Sequence, residues 1–81
     1  MNIRKPTDYS AMYAKLDQLM TKAMPQVELY FEIGGAISTR TEKGAAVAAS
    51  EHLQAAYPEA TGFSPRNLRR MREFFRTYEN N

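Results

Sequence analysis

From Tyr13 onward the apolar positions fall at Tyr13, Leu16, Met20, Ala23, Val27, Tyr30, Gly34 and Ile37. The steps alternate three and four throughout, the spacing of one buried seam along an α-helix. A second partial stripe, Met12, Leu19 and Ile33, widens that face. Pro25 interrupts the run, because proline removes a backbone hydrogen bond and kinks or divides a helix. The phase holds across it, so the pattern predicts a single kinked helix over residues 8–38. Residues 1–7 read as a flexible arm, with Pro6 and then Thr7 or Asp8 starting the helix and Asp8 well placed at its positive end.

Ser38 to Lys43 is polar and ends at Gly44, which predicts a loop. Ala45 to Tyr57 is rich in alanine, a strong helix former that lets neighbours approach closely. Pro58 stops that helix, and the turn runs through Gly62. Ser64 is then a good N-cap and Pro65 suits the first helical position, while Phe63 can staple onto Leu68. The helix that follows puts Leu68, Met71, Phe74, Phe75 and Tyr78 on one side, and residues 79–81 form a tail. The predicted fold is all-α, one helical domain over 8–78: a long kinked first helix, then a helix-turn-helix-like pair. Its turn, Pro58 to Phe63, is longer than the usual three or four residues.

Charge adds a polarity to this picture. Residues 1–61 hold six Lys or Arg against seven acids, whereas 62–78 hold five arginines against Glu73 alone. The net +2 is thus concentrated on the last helix. There Arg66, Arg69, Arg70 and Arg76 lie opposite the apolar side, with Arg72 at the boundary. Arginine presents a fixed fork of donors suited to phosphate. Nothing structural requires four outward arginines, so this face points to an acidic partner, nucleic acid first. Asn67, at the third helical position, reads first as a structural residue whose amide reaches back to the cap. Its second reading is an adenine-reading side chain.

Catalytic chemistry has little to build on. There is no cysteine and a single histidine, His52, which excludes thiolate sites and leaves almost no route to a triad or zinc centre. His52 reads as exposed or partner-facing. Glu28 and Glu32, at i and i+4, read as a solvated helix face rather than an acid–base pair. Gly34-Gly35 lacks the preceding strand and following Lys-Ser/Thr of a phosphate loop, so close helix packing or a bend is its role. No catalytic residue, metal or cofactor is expected. No apolar run is long enough to cross a bilayer, and the expected location is the cytoplasm.

The run Gly62-Phe63-Ser64-Pro65-Arg66-Asn67-Leu68, followed by Met71-Arg72 and Phe74-Phe75, resembles the N-terminal helical domain of YhcG-like proteins. Tyr30-Phe31-Glu32-Ile33-Gly34-Gly35-Ala36-Ile37, Leu53 and Pro58 also fit that domain, so the resemblance covers about residues 27–78. Full-length members carry a C-terminal nuclease domain of the PD-(D/E)xK type. Here none of the nine acids is followed two residues later by Lys, so the chain is expected to lack the catalytic half. The resemblance implies an all-helical, DNA-associated module, often tied to mobile or defence-related elements.

Two functional readings follow. The first is a small non-enzymatic protein of helix-turn-helix type that binds duplex DNA through Arg66, Asn67, Arg69, Arg70 and Arg76. The second is a protein-interaction or dimerisation module that recruits a nuclease or another partner. The seam of Tyr13, Leu16, Met20, Val27, Tyr30 and Ile37 is longer than two short helices can cover. It is therefore expected to pair in a homodimer.

Overall fold

The computed structural model describes residues 8–40 and 44–79. The predicted 1–7 arm, residues 41–43 of the Ser38–Lys43 loop and the last two residues of the tail lie outside them. The described residues form four helices: α1 Ser10–Thr21, α2 Gln26–Ser38, α3 Gly44–Ala56 and α4 Pro65–Glu79. The described residues contain no strand, and the fold is all-α as expected.

The kinked first helix is the main correction. Lys22 leaves α1 in an extended conformation, with ψ 137°, and Pro25 stands before α2 at φ −58°, ψ 148°. The residue before a proline is pushed out of the helical region, and proline has no N–H to continue the ladder. The chain therefore stops, extends and restarts. Ala23 and Val27, the seam positions that flank the break, are both exposed. The continuous phase joined two helices that are separate in space.

Because the chain breaks there, α1 packs against α2 and α3. Met12, Leu16 and Leu19 of α1 enter the same core as Ile33 and Ile37 of α2, Leu53 of α3, Phe63 and Leu68. Leu16 and Ile37 are fully buried within one chain, so neither belongs to an outward seam. Tyr13, Met20 and Tyr30 are half-buried against this core, and of the six seam residues only Val27 is exposed. The seam expected to be too long for the other helices to cover is therefore covered within one chain, Val27 excepted.

The helix ends carry local polar partners. The Asp8 carboxylate accepts the Ser10 N–H at 2.9 Å near the start of α1. At the end of α2, the hydroxyls of Ser38 and Thr39 donate to the carbonyls of Gly35 and Ala36, at 2.7 and 2.8 Å. These are two of the carbonyls that a helix terminus would otherwise leave unpaired. Ala45, Ala46 and Ala49 form the buried side of α3, as its composition predicted.

The closest approach lies between α2 and α4. A Cβ on Gly34 would stand 2.1 Å from the Met71 carbonyl oxygen, so only glycine lets the two backbones meet here. This is the helix-packing role expected of the glycine pair. Gly62 serves the turn before α4, with φ +86°, a conformation that side chains disfavour.

Candidate nucleic-acid interface

α4 is positioned from its first residue. Ser64 Oγ accepts the Asn67 N–H at 3.2 Å, and the Ser64 carbonyl accepts the Leu68 N–H at 2.9 Å. Phe63 and Leu68, the expected staple pair, are both buried in the core. A second anchor holds the turn: the buried Ser50 hydroxyl donates to the Phe63 carbonyl, which also accepts from Gln54 Nε2 at 3.0 Å. The turn of α4 about its own axis is thereby set, with Leu68 and Met71 inward.

With that side buried, Arg66, Arg69 and Arg70 are exposed. Among the described residues none of the three takes part in an ion pair. They stand in the first turns of α4, where the helix dipole adds positive potential. Arg76 differs: it is half-buried, and its Nη1 lies 3.7 Å from Glu73 Oε1. Arg72 is half-buried at the edge of the apolar side, and its Nε is buried without a hydrogen-bond partner. Asn67 serves the cap through its backbone N–H, not its side-chain amide, and its side chain is half-buried.

Two aromatic residues assigned to the apolar side of α4 are not covered. Phe74 is 38% exposed and Tyr78 60%, and the facing Val27 of α2 is 71% exposed. Phe31 packs among Phe74, Phe75 and Tyr78, with ring centroids 5.8, 4.9 and 6.2 Å away. One cluster of polar groups escaped the sequence reading altogether. Asp17 Oδ1 accepts from His52 Nε2 at 2.9 Å and from the Tyr57 hydroxyl at 3.0 Å. The Tyr13 ring stacks on His52, with centroids 4.4 Å apart. His52 is thus half-buried and bonded, not an exposed residue.

The bond from His52 holds the Asp17 carboxyl below its ordinary range, with Tyr57 adding to the effect against the cost of desolvation. Burial, and then the Asp17 carboxylate, push the Tyr57 hydroxyl up. These groups join α1 to α3 and to Tyr57 just beyond it, across 35 and 40 residues of sequence, so no local signal announces them. Glu28 and Glu32 line an open cleft of about 590 Å³ together with Lys22, Leu19, Ala23, Met24 and Pro25. Among the described residues no three His, Asp or Glu side chains gather as a metal site. No helix there is long and apolar enough to cross a membrane.

The helical architecture, the glycine contact and the capped helix define an all-α domain that presents exposed arginines on α4. The chain belongs to the DUF1016 N-terminal domain family, whose model matches residues 8–81. This agrees with the YhcG-like resemblance read from residues 27–78 and extends it through α1. Comparison with the curated proteins and with the solved structures found no match.

Proposed function

We propose that this domain is a non-enzymatic DNA-binding module that holds duplex DNA on the arginine face of α4, in the cytoplasm. The observation that carries the reading is the set of three exposed arginines, Arg66, Arg69 and Arg70, without carboxylate partners among the described residues at a capped helix start. Arg76 contributes less, because Glu73 already shares its charge. Asn67 is a cap residue first and a base reader second. The helix-turn-helix comparison is loose: residues 57–64 separate α3 from α4, and α4 packs mainly on α2.

The test is a fluorescence titration with duplex DNA at several salt concentrations. Three phosphate contacts predict log affinity falling with log salt at a slope of about −3. Arg69→Ala or Arg70→Ala flattens that slope by about one unit, and Arg76→Ala by less. Glu73→Gln tightens binding, since it removes a negative charge from the face. Absence of duplex binding by folded protein at about 50 mM salt rejects the reading. The second reading is an interaction module for a nuclease, another protein or a second copy. The exposed Val27, Phe74 and Tyr78 favour it, and it predicts that the arginine variants disrupt a protein complex instead.

A further inference from the structure

Arg66, Arg70, Phe74 and Tyr78 follow one another at i+4 spacing, so they form a single ridge along α4. Neighbours on such a ridge stand about 6 Å apart. Its first half is cationic and its second half aromatic. Where the halves meet, Val27, Tyr30, Arg70, Met71 and Phe74 line an open apolar cleft of about 300 Å³. Arg70 belongs to both the charged face and the cleft.

We propose that this cleft receives an unstacked nucleobase, so that unpaired bases add to the affinity the arginine face has for the nucleic-acid backbone. The proposal rests on the reading of α4 as a nucleic-acid surface and goes further by naming a site for the base beside the site for the phosphate. A phosphate on Arg66 or Arg70 places the adjoining base beside Phe74, whose exposed ring offers a face or an edge to it. Base–aromatic stacking of this kind accepts any base. A duplex keeps its bases inside the stack and has nothing to put in the cleft.

Other occupants fit less well. A second copy docked with α4 parallel to its equivalent brings Arg66, Arg69 and Arg70 toward their own counterparts; an antiparallel copy would instead show as a doubling of mass that depends on Phe74, and that result would overturn the proposal. An amphipathic helix needs a groove long enough for anchors at i, i+3 or i+4 and i+7. A volume of 300 Å³ is at the small end for a ligand site and suits one ring system.

The experiment uses the intact chain and three labelled probes of matched length: about twelve thymidines, the same backbone without bases, and a duplex. The thymidine strand should bind at least about fivefold tighter than the abasic strand. Phe74→Ala should abolish that difference and leave duplex affinity unchanged, while Phe74→Tyr, which keeps the ring, should retain it. Equal binding of thymidine and abasic strands overturns the base cleft, and if the duplex still binds, the arginine-face reading stands. Failure to bind all three probes overturns both. Phe74→Ala weakening all three probes equally also overturns the cleft, because the ring then acts only through the fold. An acidic amphipathic peptide that binds more tightly than the thymidine strand, with the same dependence on Phe74, assigns the cleft to a protein and overturns the proposal.

Discussion

Gly34→Ala tests whether the α2–α4 contact is what sets the arginine face. The added Cβ would stand 2.1 Å from the Met71 carbonyl oxygen, 2.6 Å from its carbonyl carbon and 3.2 Å from the Arg72 nitrogen. All three are backbone atoms, so no side-chain rotation relieves them, and α4 must move away from α2. Overpacking a close contact costs roughly 1–3 kcal/mol, and a backbone collision belongs at the upper end. Alanine returns about 1 kcal/mol through its better helix propensity. The net loss is about 2 kcal/mol. In a domain of this size that lowers Tm by about 8–16 °C.

Gly35→Ala is the matched control. The three atoms nearest its Cβ would all belong to the Phe75 ring, at 2.8–3.2 Å, and that half-buried side chain can shift. The propensity gain is the same, so Gly35→Ala should change Tm by much less. Thermal unfolding followed by circular dichroism separates the two. Gly34→Ala melting at or above the parent temperature, or Gly35→Ala proving the more damaging, refutes the reasoning. Gly34→Ala should also weaken DNA binding under conditions where it remains folded, because the displaced helix carries the arginines.

At the start of α4, Ser64→Ala should cost roughly 1 kcal/mol through the lost cap bond, and Phe63→Ala about 3 kcal/mol for a ring that is 4% exposed. Urea unfolding midpoints measure both, and an unchanged midpoint for Phe63→Ala removes the anchor drawn here. Asp17, with its folded pKa below the ordinary 3.8, contributes stability that is present above that value and is lost as pH falls through the lower folded value. Asp17→Asn should therefore be less stable than the parent at pH 6 and show a shallower loss on acidification below about pH 4. Asp8, also lowered chiefly by its bond from the Ser10 hydroxyl, leaves part of that acid sensitivity in place. Parallel acid curves for parent and variant would show that the Asp17 cluster does not tie α1 to α3.

Features with local causes were legible in the chain itself. The start of α4 depends on Ser64, Pro65 and their immediate neighbours, and its arginine face follows from 100° per residue. The alanine side of α3 and the turn at Gly62 are read the same way. The close-packing role of Gly34-Gly35 was legible too, but not what it packs against. What escaped was contact between distant segments. A 3.6-residue period is common to all helices, so α1 and α2 in matching phase read as one, although Pro25 marks where they part. Periodicity assigned the seam an apolar character but not a cover. The return of α1 to the core buries Leu16 and Ile37 and leaves Val27 outside. It also brings Asp17 to His52 and Tyr57. In the same way, Phe74 and Tyr78 share the apolar side of α4 with Leu68. Only the crossing of α4 over α2, limited by the Gly34–Met71 approach, decided which of them the core could reach.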